Sequence, residues 1–174
     1  MIIRLAERDL KTRFGTYREI LYYDGQKEPI AIVMGDVGEQ DDVLCRVHSH
    51  CIGAHVFNSI ECTCREEMEA AQALIESEGR GVIIWLDQEG KGNGHLALIE
   101  SIPFKKELGQ AEAYVKAGDK ADARSYRPAA QILRDLKVRS IVLLANIPDK
   151  AQSLREESVT VSGVRSVLAP SEAR

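Results

Sequence analysis

Two apolar hexads constrain most of what this chain can fold into. Gly81–Leu86 reads GVIIWL and Ser140–Ala145 reads SIVLLA. Such continuous apolar runs suit strands covered on both faces. Each is followed by a loop and then a helical pattern, the order of a βαβ unit. The first 48 residues read as strands instead. Tyr17–Tyr23 is β-rich and ends at the turn signal Asp24-Gly25. Pro29–Met34 is a short apolar run closed by Gly35, and Val43–His48 (VLCRVH) roughly alternates, as a half-buried strand should. Val56–Ile60 offers another short strand. From Arg65, helical spacing puts Met68, Ala71, Leu74 and Ile75 on one side, with Gly79 as the stop. Further helices are expected from His95 to Ser101, broken at Pro103, from Phe104 to Ala117, from Pro128 to Leu136, and from Pro148 to Glu157. A last strand lies in VTVSGV. Strands first and βαβ-like units later predict an α+β class, a mixed sheet with flanking helices. The expectation is one domain over 1–174, with 170–174 a loose tail.

Composition narrows the function classes. The chain has 174 residues, 23 Lys+Arg and 27 Asp+Glu, a formal charge of −4. With no Lys/Arg-rich block, this argues against bulk nucleic acid or an anionic membrane as partner. Any anionic ligand must be met by local positive charge. The 44% hydrophobic and 29% charged content is ordinary for a globular protein. No apolar run reaches the roughly 18–20 residues of a membrane span. The start, MIIRLAERDLKTRFG, does not read as a signal peptide, so a cytoplasmic setting is expected.

Four cysteines are too few for a disulfide scaffold. Cys51, Cys62 and Cys64 give C-x10-C-x-C, which suits convergence on zinc, a soft cation that takes thiolates. Three ligands leave a fourth position for water, the layout of a catalytic site. A closed Cys3His site using His48, His50 or His55 is the structural alternative, and three buried free thiols a further one. Cys45 lies in an apolar strand and reads as core.

Two loops also carry site-like chemistry. Asp87–His95 (DQEGKGNGH) follows a buried strand and precedes a helix, where ligand loops sit in open α/β sheets. Its glycines let backbone N–H groups approach a ligand, and Glu89 offers a carboxylate at the mouth. Asp122-Ala123-Arg124 pairs an acid with a guanidinium ahead of Tyr126.

Taken in order, R-V-H-S-H-C-x10-C-x-C, D-Q-E-G-K-G-N-G-H, A-D-A-R-S-Y and Q-I-L-R-D-L-K-V-R-S-I-V-L-L-A-N-I-P-D-K resemble GTP cyclohydrolase II, from about Lys11 to Val161. The resemblance implies a zinc-dependent hydrolase that opens the imidazole ring of GTP, releasing formate and pyrophosphate, in riboflavin synthesis. It implies Mg²⁺ with the triphosphate and a homodimer. By position it implies Cys51, Cys62 and Cys64 as zinc ligands. Arg46, Val47, His48, Ser49 and His50 fall in a nucleotide-lining segment, with Arg46 able to fork onto phosphate oxygens. Glu89, Gly90 and Lys91 fall in a second such segment, and Lys150 matches a phosphate contact. Asp122 falls on a proton acceptor and Arg124 on a proposed nucleophile. A guanidinium stays protonated, so a phosphate clamp is the preferred role for Arg124.

Departures from the family pattern cluster on the base side. A glutamine after the zinc pair is Glu67 here, Q-E-G-R is Q-E-G-K with Lys91, and a tyrosine is Ile102. A base-side threonine aligns near Gln110. In L-L-T-N-N-P the threonine is Ala145 and the second asparagine Ile147. The expected substrate is therefore a purine nucleoside triphosphate, GTP first, with turnover that can stop at a formamido-pyrimidine. A pyrimidine nucleotide in a specialised pathway is the alternative substrate, and a catalytically silent, zinc-stapled nucleotide-binding module the alternative class.

Overall fold

The computed structural model describes residues 1–146 and 149–168. Seven strands join one mixed sheet in the order β1-β2-β3-β5-β4-β6-β7. They are β1 Ile3–Thr12, β2 Gly15–Tyr23, β3 Ile30–Met34, β4 Val43–Ser49, β5 Gly81–Leu86, β6 Ile141–Leu144 and β7 Val161–Arg165. β1, β2, β3 and β5 pair antiparallel. β5, β4, β6 and β7 pair parallel. β5 is thus the seam between a hairpin half and a βαβ half, and β4 enters between β5 and β6. Crevices at the carboxyl ends of such strands are where ligands bind.

Helices cover both faces: α1 Ile52–His55, α2 Cys64–Glu78, α3 His95–Lys105, α4 Gln110–Ala117, α5 Arg127–Asp135 and α6 Asp149–Glu156. On one face Val43, Cys45 and Val47 of β4 and Val82, Ile84 and Leu86 of β5 pack with Ala129, Ile132 and Leu133 of α5 and Leu154 of α6. On the other, Leu44, Ile83 and Leu144 pack with Ala71 and Ile75 of α2. α2 ends at Gly79, whose φ of 74° is the left-handed cap that glycine adopts without penalty.

Several expectations need correction. β4 is buried on both faces, because its polar Arg46 and His48 alternate toward the α2 side and not toward water. Val56–Ile60 is not a strand: Val56, Phe57 and Ser59 donate back to Ile52 and Gly53 carbonyls, turning the chain off α1. α3 runs through Pro103 to Lys105, since near a helix end the missing N–H forfeits only one bond. The following helix starts at Gln110, not Phe104. Pro148, Ile147 and the 170–174 tail lie outside the described residues. Among the described residues, no helix is long and apolar enough to cross a membrane.

The long edge strand β1 is clamped to α5 through Asp135. Its Oδ2 accepts from Tyr22 Oη at 2.7 Å and from Arg4 Nη2 at 2.6 Å. Burial raises the Asp135 pKa, but these donors outweigh it and hold it below the ordinary value of 3.8. A depressed carboxylate stabilises the fold above its unfolded pKa and loses that contribution as pH falls through its folded one. Asp135→Asn is therefore expected to cost about 1 kcal/mol at pH 7, discounted for partial exposure. Urea unfolding checks this: the gap from wild type should close below about pH 3.8, near the unfolded pKa.

Candidate active site

The carboxyl ends of β4, β5 and β6 open onto one region, and the chemistry-bearing loops gather there. β4 delivers His50 and Cys51, and the loop entering α2 delivers Cys62 and Cys64. The ligand atoms of Cys51, Cys62 and Cys64 all lie within 4.8 Å of one another. Cys51 Sγ and Cys62 Sγ are 3.7 Å apart. A disulfide would bring them to about 2.05 Å. Thiolates about 2.3 Å from a tetrahedral zinc ion sit roughly 3.8 Å apart, so the spacing fits a shared metal. Burial, then mutual repulsion, pushes the Cys64 thiol up. Burial, opposed by the Ala54 amide and reinforced by Cys62, pushes Cys51 up. A divalent cation resolves that conflict by binding the deprotonated forms.

No histidine joins this cluster among the described residues. His48 Nε2 meets His55 Nε2 at 2.9 Å, and Arg46 Nη2 faces His48 Nδ1 at 3.5 Å. Burial, then Arg46 and Lys150, lowers the His48 pKa well below 6.5, so its ring is neutral. His50 lies against the Trp85 ring, 5.2 Å between centroids, with Nδ1 3.4 Å from Asp87. The three-ligand arrangement is the one this geometry favours.

Positive charge converges beside the cluster. Arg46 is only 2% exposed. Its guanidinium donates to Leu144 O at 3.0 Å and pairs with Glu67, which Thr63 Oγ1 also holds at 3.0 Å. Arg46 Nε has no partner among the described residues. Arg46 is therefore largely committed to protein groups, where the sequence suggested a free phosphate fork. Lys150, on α6, reaches Val47 O at 3.4 Å. Burial, then Arg46 and Arg124, brings its pKa down to about 7. Val47's own side chain is in the core, so only its backbone faces this region. Ala145 closes β6, buried, with its N–H on Arg165 O.

Asp122 and Arg124 form a bidentate pair, Nε to Oδ1 at 2.9 Å and to Oδ2 at 3.1 Å, with Nη2 also on Oδ2. Arg124 lies 5.8 Å from the Tyr126 ring centre. Burial works to raise the Asp122 pKa, but the Arg124 donors carry it below 3.8. Tyr126 Oη and Asn146 Nδ2 are buried with no hydrogen-bond partner among the described residues.

The glycine loop docks onto the Asp122 segment. Lys91 O accepts from Ala123 N at 2.8 Å, and Asn93 Nδ2 donates to Lys120 O at 2.8 Å. Gly90 is buried, and Lys91 takes a left-handed φ of 53°. Glu89 is 8% exposed. Its oxygens accept from Ile52 N at 2.8 Å and His95 Nδ1 at 3.0 Å. It braces the start of α1, next to Cys51, where the sequence suggested a carboxylate at the mouth. Ser49 Oγ accepts from Gln88 Nε2 at 3.3 Å. Gln110 begins α4 and is exposed. Sequence reasoning passed over Gln88, Asn93 and Thr63. A polar Gln directly after a buried strand was the available signal for the first.

Comparison with known proteins identifies the family. The sequence model of GTP cyclohydrolase II matches residues 3–166. The riboflavin biosynthesis protein RibBA of Bacillus mycoides is 41% identical over 165 residues, 93% of this chain and 42% of that protein. A Bacillus cereus RibBA is 42% identical over 158 residues, 89% of this chain and 40% of that protein. The chain thus spans about two-fifths of the relatives' length. A solved structure of RibBX, a two-domain 3,4-dihydroxy-2-butanone 4-phosphate synthase from A. baumannii, shares the fold. Its TM-score is 0.50 at 20% identity, over 94% of this chain and 40% of that one. A match over nearly the whole sequence, with the three thiols gathered where the motifs place them, makes this chain a member of the GTP cyclohydrolase II family.

Proposed function

We propose that this chain is a zinc-dependent hydrolase that opens the ring of a purine nucleoside triphosphate, GTP first, with release of formate and pyrophosphate. The observation that carries this reading is the meeting of a three-thiol cluster with Arg46, Lys150 and Arg124 at one end of the sheet. Lys150, buried beside the Arg46 and Arg124 guanidiniums, suits an anion, and a triphosphate with Mg²⁺ supplies one. Family membership supports the same substrate, and the relatives are named as riboflavin biosynthesis proteins. Cys51, Cys62 and Cys64 would hold the metal. When bound, zinc acidifies water toward neutrality and stabilises oxyanionic charge as a Lewis acid.

The chain's own residues do the rest. Arg124 binds phosphate oxygens as a planar clamp, since it never deprotonates. In doing so it leaves Asp122, and removal of those donors raises the Asp122 pKa toward the range of a useful proton acceptor. Substrate binding thereby arms the base. Phosphate charge beside Lys150 opposes the burial and the Arg46 and Arg124 charges that lower its pKa, and so favours its protonated form. Glu67, fixed by Arg46 and Thr63, offers acceptor oxygens only. That observation keeps a second substrate in view, a pyrimidine nucleotide.

Incubating the protein with zinc, Mg²⁺ and each nucleoside triphosphate, then measuring formate and pyrophosphate, tests the reading. GTP should give both, and consumption of UTP or CTP alone would sink it. Asp122→Asn should retain zinc and lower kcat by about 10²-fold. Unchanged turnover would remove Asp122 from the chemistry.

A further inference from the structure

The groups just assigned to the reaction come from segments far apart in the chain. The metal side follows β4, and the phosphate side is the 120–125 loop. One side chain touches both. Gln88 is 8% exposed and sits just beyond the end of β5. Its Oε1 accepts from Ser125 N at 3.1 Å, and its Nε2 donates to Ser49 Oγ at 3.3 Å. Ser125 directly follows Arg124, and Ser49 lies two residues before Cys51. The Gln88 backbone is itself fixed, its N–H on Leu86 O at 2.9 Å and its carbonyl accepting from Gly92 N at 3.1 Å.

We infer that Gln88 is a positioning residue, a strut that sets the distance between the cysteine cluster and the Asp122–Arg124 pair. The loop is held at two points. Ala123 N is fastened to Lys91 O upstream of Arg124, and Ser125 N to Gln88 downstream. Arg124 lies between them, so only its side chain is free to trade Asp122 for phosphate. An amide suits the strut because one end must accept from a backbone N–H while the other donates to a hydroxyl. A shorter or apolar side chain loses both contacts at once. Gln88 touches no reacting atom in this scheme, and its effect runs through Asp122 and Arg124. The inference deepens the proposed function. Its catalytic consequence rests on that reading, whereas the strut itself does not.

The test compares wild type, Gln88→Ala and Gln88→Glu in the zinc-loaded protein. The glutamate is of equal length, accepts from Ser125 N and takes a proton-donating bond from the Ser49 hydroxyl. Hydrogen–deuterium exchange should rise about five- to tenfold in the 120–127 segment of Gln88→Ala, with β1–β3 unchanged. Gln88→Glu should restore protection there. With GTP, kcat should fall by up to about 10²-fold, with KM moving far less, as for a misplaced group. The ratio of formate to pyrophosphate should depart from that of wild type, because the metal side and the phosphate side no longer act in register. A merely structural residue would lower the melting temperature and leave that ratio alone. Wild-type exchange over 120–127 in Gln88→Ala, or an unchanged kcat and product ratio, overturns the inference. If Gln88→Ala does not fold, Gln88→Met takes its place under the same criteria. Should wild type release no formate from GTP, the proposed function fails, and the exchange measurement alone decides the strut.

Discussion

Cys64→Ser is expected to abolish metal binding and turnover together while leaving the sheet folded. The cysteine is one of three thiols within 4.8 Å of one another, and two remaining thiolates make a much weaker zinc site. Zinc content should drop from near one per chain to a small fraction, and formate release from GTP by at least about 10³-fold. The fold has independent support. α2 begins at Cys64, but its hold on the sheet is Ala71 and Ile75, about two and three turns further along. The far-ultraviolet circular dichroism spectrum should therefore be retained and the melting temperature lowered only modestly. Loss of the folded spectrum would assign the ion a stapling role and favour the catalytically silent alternative.

Gly92→Ala is expected to be nearly as damaging by a different route. Gly92 has φ 85°, where an L side chain is strained, and an added Cβ would stand 2.6 Å from Ala123 C and 2.8 Å from Arg124 N. That is roughly an ångström inside ordinary van der Waals contact. Both obstacles are backbone, so the 122–124 segment has to move. A shift of about 1 Å can cost 10²-fold in rate, and here it displaces Asp122 and Arg124 together, so a loss of about 10³-fold is expected. Zinc content should stay near one per chain, which separates this variant from Cys64→Ser. Steady-state kinetics with metal analysis checks both, and a variant with wild-type kcat would show that the segment tolerates the displacement.

The α+β class and the positions of β2 to β7 along the chain were legible because apolar hexads and glycine stops are local signals, whereas the order in which the strands pair was not. The cysteine cluster was legible for the same reason, since Cys62 and Cys64 are separated by a single residue and their spacing limits where they can go. What the side chains are committed to was not legible. Arg46 bonds to Leu144 O across 98 residues and Glu89 to Ile52 N across 37, and no window of sequence contains both partners. The same blindness made β4 look half-wet. Its polar positions do alternate, but α2, not solvent, lies on that side. Pro103 misled for a different reason: a proline stops a helix only where more turns were to follow.

The fastening of Lys91 to Ala123 and of Asn93 to Lys120 has a consequence for how such a protein can change. Everything from 94 to 119 leaves the body of the molecule and comes back to the place it left. Apart from His95, which holds Glu89, and Leu98 and Tyr114, which lie against Gly90, the exposed surface of this excursion, α3 and α4, can be rewritten without altering the two fastenings that hold the Arg124 loop. Two positions that the sequence reading set against the family pattern, Ile102 and the neighbourhood of Gln110, lie in that excursion. On the proposed function, preference for a base can drift there while the frame assigned to the hydrolysis stays put, which makes the choice of substrate and the power to cut it separately heritable.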